Sequence, residues 1–560
     1  MSNGNRRSGN YKPSIWDDDY VQSRAAIYTE KEFSKRAAEL KEGVRKMVEG
    51  KMDPLEKLEL VDLLQRLGVS YHFEDEIQHV LEHIYTSFCC NADQDLYATA
   101  LHFRLLRQHG YKVPQEVFCG FMDEEGKFKR SLSEDTKGIL SLYEATYLCM
   151  EGESIMEAAQ RLCTKHLREI QNMNVLDQDL VEHALEMPLY WRMQRFEARW
   201  FISVYEKRQN MKPVLLEFAK LDYNMVQAKY LEELKQMSRW NKDIRLAEKM
   251  SFARDRLVEG FLWAVGFTPD PQFECCRKIS TKLAVLITIL DDLYDVYGAL
   301  DELEIFTDVV QRNAFIFTGT KALFAAYFIY RWDVNAAETV LPEYMKICFL
   351  AIFNSMNELG YDVLKDQGLS IITNIRKQWA NLCKFYLLEV KWNLGGYAPS
   401  LDEYLDTAFI TNTGPLLLMH AYFCITNPIN IEDLQHLEQY PGIIRSSSMI
   451  LRLANDLGTS PDEMLRGDIP KSIQCYMRES GCSEEKAGEY INGLIAETWK
   501  KLNTELVRME PPLPKEFRRT ATNLPRIAQF IYQQGDGFGV RPDEMKNRIV
   551  DLFFEPIPMP

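Results

Sequence analysis

The apolar run 283–290 ends abruptly in the acidic string Asp291-Asp292-Leu293-Tyr294-Asp295. On a helix Asp291 and Asp295, four residues apart, share one face. A hydrophobic segment that gathers carboxylates in this way needs a cation beside them, because burying several acids without a counter-charge is costly. Hard oxygen donors on one helical face suit Mg²⁺, which keeps several waters and bridges to substrate phosphates. A solvated helix end is the plainer alternative, and this motif taken alone leaves both readings open.

A second cluster has the same spacing logic. Asn455, Thr459 and Glu463 recur at i, i+4 and i+8, which places three oxygen donors on one helical face. Pro461 lies among them and removes a helix hydrogen bond, so the sequence predicts a helix that bends or ends near Glu463. Arg254 and Arg256 precede the aspartates, and guanidinium groups match phosphate oxygens bidentately. Acids for a metal, together with arginines for phosphate, imply a diphosphate held between them.

The rest of the chain reads as helix. The leucines from Leu55 to Leu67 fall mostly three and four apart and stop at Gly68. Similar patterns recur near 74–88, 95–109, 135–150, 153–161 and 177–206, with loops at 123–127 and around Asn172. No repeat of roughly 34 residues is present, which excludes a tetratricopeptide array. A chain of 560 residues exceeds a single core, so two or more domains are expected. The boundary is placed at 209–213, giving an arm at 1–20, a first helical domain at 21–210 without a catalytic cluster, and a second domain at 211–560. In the second, Leu221 opens one helix, Trp240 ends another, and 343–358 and 370–394 form two more. The run 411–415 interrupts a further helix, and such a break can turn backbone carbonyls toward a ligand. Residues 467–471 form a loop suited to covering the site.

The formal net charge of −16 argues against nucleic acid and anionic membrane surfaces as partners. An anionic diphosphate is compatible with it only if metal ions reverse the local field. Twelve cysteines, including the adjacent pairs Cys89-Cys90 and Cys275-Cys276, are too sparse for a disulfide scaffold and are read as reduced thiols. The nine histidines form no HExxH, which disfavours a zinc hydrolase. No stretch of about 20 apolar residues suggests a membrane span. The N-terminus is not a signal peptide and is too short for a transit peptide.

Taken in order, Arg6-Arg7 with Trp16 nine residues beyond, the Arg-x-Arg at 254–256, the DDxxD at 291–295 and the motif at 455–463 make the whole chain resemble the plant class I terpene synthases. The tandem-arginine form is similar to the angiosperm monoterpene branch; sesquiterpene and isoprene synthases share parts of it. The resemblance implies an all-α protein of two α-helical domains. The N-terminal α-barrel domain has no active site of its own, and the C-terminal domain is a class I terpenoid synthase helical bundle. It implies three Mg²⁺ or Mn²⁺ ions, ligated by Asp291 and Asp295 on one side and by Asn455, Thr459 and Glu463 on the other, with Asp292 the weaker candidate. Arg254 and Arg452 then bind the diphosphate and, with Asp291 and Asp295, form the catalytic set. Trp263 lines the pocket, where an aromatic face attracts a carbocation by about 0.5–2 kcal/mol; Tyr294 and Tyr532 are weaker candidates for that role. The arginine arm closes over the site. The implied partner is a prenyl diphosphate, with no nucleic acid and no membrane span, for a monomeric enzyme. The resembled proteins are usually plastidial; this chain starts near the point where their transit peptide is cut, so a cytoplasmic protein is expected if that start is genuine.

Two departures stand out. Asn241 follows Trp240 where the family generally carries a second tryptophan. Residues 313–331, NAFIFTGTKALFAAYFIYR, intervene where the helix ending at Arg312 should run almost directly into Trp332. A retained intron or gene-model error is the preferred account, and an added lid or membrane-touching segment the other; either is expected to interrupt helical packing and to be an aggregation liability. Ala284 and Leu451 stand where isoprene synthases carry phenylalanine, which favours a ten-carbon substrate over a five-carbon one and leaves fifteen carbons open. The rival readings are a sesquiterpene synthase, a chain-elongating prenyltransferase (which needs a second DDxxD) and an inactive helical variant disrupted by the insertion.

Overall fold

The computed structural model describes residues 6, 9, 11–87, 95–171, 178–311, 314–316, 327–329, 332, 334–466, 470–508, 513–538 and 542–559; for 314–316, 327–329, 461–466 and 542–544 only the backbone is described. Within these residues the architecture is all-α, as expected, apart from one short antiparallel hairpin and a single bridge between Met122 and Phe128. Arg7, Cys89, Cys90, Asn172 and the loop residues 467–469 lie outside the described residues.

The chain forms two compact units, and neither is contiguous. One comprises Ala26–Lys229, Ala496–Pro512 and Asp551–Pro560; the other comprises Met1–Ala25, Tyr230–Ile495 and Leu513–Val550. The division expected at 209–213 is corrected accordingly, and the arm 1–20 is part of the second unit rather than a separate piece. A single 32-residue helix, Pro213–Ile244, takes up the segment in which Leu221 was expected to open one helix and Trp240 to end another. No glycine or proline follows Pro213 before Ile244, so nothing in the backbone stops the helix.

Local chemistry accounts for the helices of the first unit. Pro54–Arg66 begins at an Asp53–Glu56 capping box with proline in its first turn. It buries Leu58, Leu60, Val61 and Leu64, and the chain turns away at Gly68 with φ of 75°. Its last residue, Arg66, reaches a buried carboxylate: Glu197 accepts from Arg66 Nη2 at 2.9 Å and Arg192 Nη1 at 2.7 Å, and lies 2.9 Å from His183 Nε2. One acid thus pins Arg66, remote in sequence, to the nearby His183 and Arg192.

In the second unit the helices Leu257–Phe267, Glu274–Asp292, Gly442–Arg466 and Lys515–Tyr532 pack on one another around the site described below. The helix Gly442–Arg466 runs through Pro461 and ends at Arg466, three residues past Glu463, in keeping with the expected end near that residue. The proline removes one donor only. The preceding turns are held tightly: a Cβ on Gly458 would stand 2.9 Å from Tyr532 Cβ and 3.1 Å from the Gly535 carbonyl. The interruption expected at 411–415 is present. Leu401–Thr411 ends, Thr413 takes φ of 67°, and Gly414–Ile425 restarts. By length and composition the combined run Leu401–Ile425 is apolar enough to cross a membrane, unlike the expectation from sequence, but it is broken at this turn and 78% of its apolar window is buried.

The inserted segment does not interrupt the neighbouring helices. Leu300–Gln311 and Val334–Val340 pack together, and Trp332 is buried edge-on against Phe349 at 5.6 Å and Phe353 at 6.2 Å. The reason is the hairpin: Ala314–Ile316 pairs antiparallel with Tyr327–Ile329, with Ala314 opposite Ile329, so the segment leaves and returns at one point. Residues 312–313, 317–326 and 330–331 lie outside the described residues.

Candidate active site

The aspartate helix Glu274–Asp292 loosens at its end into a π turn, Leu293–Tyr297, so Asp291 and Asp295 fall on either side of the change. Such turns recur at functional sites because they re-aim side chains within a helix. Ala284, Ile287 and Asp291 are the partly open positions on the otherwise buried second half of the helix, and their spacing makes them one stripe. Asp292 is fully buried. Its Oδ2 accepts from the Arg254 backbone N–H at 2.8 Å and from Arg254 Nε at 3.1 Å, while Arg254 Nη2 donates to Asp291 Oδ2 at 2.6 Å. Asp292 therefore anchors Arg254 and has little capacity left for a ligand. Asp295 makes no hydrogen bond or ion pair among the described residues. Its side chain reaches the surface, yet the surrounding protein displaces enough water that desolvation, then the charge of Asp291, hold its carboxyl well above the ordinary carboxylate range.

The facing helix Gly442–Arg466 carries Arg452, Asn455 and Thr459 at its inner side. Arg452 Nη2 donates to Asn455 Oδ1, and Arg452 Nε lies 2.8 Å from Asp456 Oδ1. Thr459 is buried, and among the described residues its Oγ1 has no hydrogen-bond partner. Glu463 lies one turn further along the helix; its side chain is outside the described residues. Asp456, not singled out from sequence, is fully buried and accepts from Tyr404 Oη at 2.9 Å and Ser472 N–H at 3.1 Å as well as pairing with Arg452. Its adjacency to Asn455 was the available signal. Replacing Asp456 with alanine removes the acceptor shared by Tyr404, Ser472 and Arg452 and loosens the Arg452 guanidinium; an outer-shell partner of this kind is worth about 10–100-fold in activity. Asp456→Ala is expected to lower kcat/KM by that factor in steady-state assays, with Asp456→Asn recovering part of the loss.

Common neighbours join the two faces. Tyr532, at the end of Lys515–Tyr532, lies in the field of both Arg254 and Arg452, and its hydroxyl bonds Asn455. Tyr386 is buried beside Asp291, Asp295 and Glu389. Glu389, buried on the helix Ile372–Gly395, accepts from Thr411 Oγ1 at 2.8 Å at the end of Leu401–Thr411; its pKa is raised by burial, against the charges of Lys471 and Arg452. Tyr386 and Glu389 come from a segment that shows no motif, so no local spacing marks them, whereas Lys471 ends the run 467–471 expected to cover the site. Trp263 is the one residue of Leu257–Phe267 that is not fully buried, and its ring centre lies 6.1 Å from that of Tyr532. Tyr294 is buried instead and hydrogen-bonds Thr307 at 2.8 Å, so it belongs to the packing behind the site.

The N-terminal arm reaches the same region. Arg6 pairs with Glu302 at 2.9 Å, donates to Tyr344 Oη at 3.0 Å, and sits over the rings of Tyr297 and Tyr344 at 4.6 and 5.1 Å. Tyr297 closes the π turn that carries Asp295, so the arm is fastened directly behind the aspartates. The Tyr11 ring lies 5.0 Å from the Arg254 guanidinium. Arg256 is not directed at a phosphate site: it donates to the carbonyls of Asp255, Phe538 and Lys12 at 2.8, 3.1 and 3.2 Å, which clips the arm to the C-terminal segment.

The residues fit divalent metal. Asp295 is un-neutralised and faces Asp291 and Glu389, Thr459 offers an orphaned buried oxygen, and both metal-site motifs supply only hard donors. The described residues hold no closed group of three acid, histidine or cysteine ligands.

Residues 15–185 match the family description "Terpene synthase, N-terminal domain" and residues 242–501 match "Terpene synthase family, metal binding domain". The (-)-alpha-terpineol synthase of Vitis vinifera is 54% identical over 99% of this chain and 91% of its own length. The trans-alpha-bergamotene synthase of Phyla dulcis is 52% identical over 99% of each. Among solved structures, limonene synthase with 2-fluorolinalyl diphosphate superposes with a TM-score of 0.93 at 42% identity, covering 99% of this chain and 100% of that one. Isoprene synthase from grey poplar leaves (Populus x canescens), in complex with three Mg²⁺ ions and dimethylallyl-S-thiolodiphosphate, gives 0.86 at 42% identity, covering 98% and 100%.

Proposed function

The chain belongs to the terpene synthase family, and from that premise we propose that it ionises geranyl diphosphate and turns the resulting allylic cation into a cyclic or acyclic monoterpene, releasing diphosphate. One observation carries this reading: among the described residues the Asp295 carboxyl has no ion pair and Thr459 Oγ1 no hydrogen bond, and the two helical faces that carry them share the neighbour Tyr532, which lies in the field of both Arg254 and Arg452. Asp291 and Asp295 on one side, with Asn455, Thr459 and Glu463 on the other, would hold the metal. Mg²⁺ or Mn²⁺, three ions as in the isoprene synthase complex, supplies the positive charge that makes diphosphate a good leaving group. Arg254 and Arg452 bind the diphosphate oxygens, and their charge is worth most in the dry, low-dielectric site. Trp263 and Tyr532 present ring faces to the cation. The arm fastened by Arg6 and Arg256 excludes water that would quench it. The enzyme acts as a monomer and in the plastid.

Ala284 contributes only a methyl group to the open stripe below Asp291, which leaves depth for ten carbons. A second reading, a sesquiterpene synthase using farnesyl diphosphate, is favoured by one observation: the Phyla dulcis relative is named for bergamotene, a fifteen-carbon hydrocarbon. Gas chromatography–mass spectrometry of the purified chain with Mg²⁺ and each diphosphate separates them. Monoterpenes from geranyl diphosphate, abolished by EDTA and restored by Mg²⁺, are expected. Products from farnesyl diphosphate alone would establish the second reading. A parallel assay without residues 313–331 tests whether the hairpin is tolerated; equal turnover by both forms is expected, because the flanking helices pack in its presence. Product from the shortened chain only would mean that the inserted segment inactivates the enzyme.

A further inference from the structure

A thiol cluster lies at the opposite end of the aspartate helix from Asp291. Cys275 and Cys276 occupy the first turn of Glu274–Asp292, and Cys424 lies in the last turn of Gly414–Ile425, which packs along it. The Cys424 thiol lies close enough to those of Cys275 and Cys276 for the three to influence one another's ionisation. Cys276 is buried, with its Sγ 3.9 Å from Ser280 Oγ; Cys424 is half-buried, Cys275 is exposed, and all three are free. No three acid, histidine or cysteine side chains among the described residues are placed to hold a metal ion, so the contact is a matter of thiol chemistry rather than of ligation.

We propose that Cys275 and Cys424 form a reversible dithiol–disulfide site, oxidised by hydroperoxide, that ties the first turn of the aspartate helix to the last turn of Gly414–Ile425. Cys275 meets the oxidant first because it alone of the three is exposed. Three features favour its thiolate: the neighbouring Cys424 thiol, which brings it down to about 7 against the opposing effects of burial and of the Asp362 charge, the charges of Lys278 and Lys282, and its place in a helix N-terminal turn. In the first step the Cys275 thiolate attacks one oxygen of hydrogen peroxide. The S–O bond forms, the O–O bond breaks, and the departing hydroxide takes up the proton that Cys275 had lost, giving sulfenic acid and water. In the second step Cys424 sulfur attacks the Cys275 sulfur. The S–S bond forms, the S–O bond breaks, and the hydroxyl leaves as a second water with the Cys424 proton. Two thiols are oxidised by two electrons and one peroxide is reduced to two waters. The cross-link joins helices far apart in sequence, and a disulfide that closes a long loop restrains the unfolded chain most.

The test uses the full chain at pH 7 with equimolar hydrogen peroxide, followed by N-ethylmaleimide, digestion and mass spectrometry. A linked Cys275–Cys424 peptide, lighter by two hydrogens than its parts and released by dithiothreitol, is expected. It should vanish in Cys275→Ser and Cys424→Ser and persist in Cys119→Ser, which removes an exposed thiol on the other unit. The oxidised protein should melt several degrees higher than the reduced one. At pH 6, Cys275 should react with N-ethylmaleimide several-fold faster than Cys119, the gain in thiolate outweighing the loss of intrinsic nucleophilicity. A Cys276–Cys424 bridge, over-oxidation of Cys275 without any bridge, or reactivity no greater than that of Cys119 would overturn the assignment. The wild-type peptide map decides the matter even if a serine variant folds poorly.

Discussion

Asp295→Asn is expected to lower kcat on geranyl diphosphate by about 100- to 1,000-fold at saturating Mg²⁺, the range found when one preorganised electrostatic contact to a developing charge is removed. The reason lies in how the three aspartates are divided. Asp292 is spent on Arg254, and one oxygen of Asp291 is shared with the same guanidinium. Asp295 makes no hydrogen bond or ion pair among the described residues, and a metal ion beside it would favour the charged form that burial and Asp291 now disfavour. The amide keeps the shape and removes the charge, and the fold should be indifferent or slightly more stable, because repulsion from Asp291 is relieved. Kinetics and thermal melts on the same preparation check both halves of the expectation. Near wild-type turnover by the amide variant would sink the assignment of Asp295 as a ligand. Asp292→Asn is expected to act differently: it loosens Arg254, raises KM for the diphosphate and lowers the melting temperature together.

Glu197→Ala should be among the most destabilising single changes in the first unit, without touching the chemistry. The carboxylate is buried among Arg66, Arg192 and His183, and its removal leaves buried cations uncompensated, at a cost of about 3–5 kcal/mol. In a unit of this size that corresponds to a fall of about 10 °C in melting temperature. The pH dependence has a definite sign. Burial alone would raise the Glu197 pKa, but the charges of Arg192 and Arg66 and the His183 bond outweigh it and hold the group far below the ordinary carboxylate value. A depressed folded pKa contributes stability that is fully present above the unfolded value of about 4.3 and is lost as pH falls through the folded value. The gap in melting temperature between wild type and Glu197→Ala should therefore be widest near neutrality and shrink below about pH 4. A gap that stays constant from pH 7 to pH 3 would mean that packing, not charge, is what Glu197 supplies.

The sequence by itself determined whatever depends on near neighbours along the chain. Leucine spacing and the Asp53–Glu56 cap fix Pro54–Arg66 locally, and the four-residue steps from Asp291 to Asp295 and from Asn455 to Thr459 name donors that a helix must place on one face. The same steps carried the family resemblance, and with it the all-α class. Tertiary structure alone decided how those donors are used. Asp291, Asp292 and Asp295 look equivalent in the string, yet a backbone N–H and a guanidinium arriving from Arg254 make one an anchor and leave another free. Asp456, Glu389, Tyr386 and Lys471 gain their roles only where separate segments converge, and no local pattern encodes that convergence. The helix through Leu221 and Trp240, the persistence of Gly442–Arg466 past Pro461 and the closed ends of the inserted hairpin have the same origin. Packing and pairing complete these elements, and those energies belong to residues that meet in space and are remote in the chain.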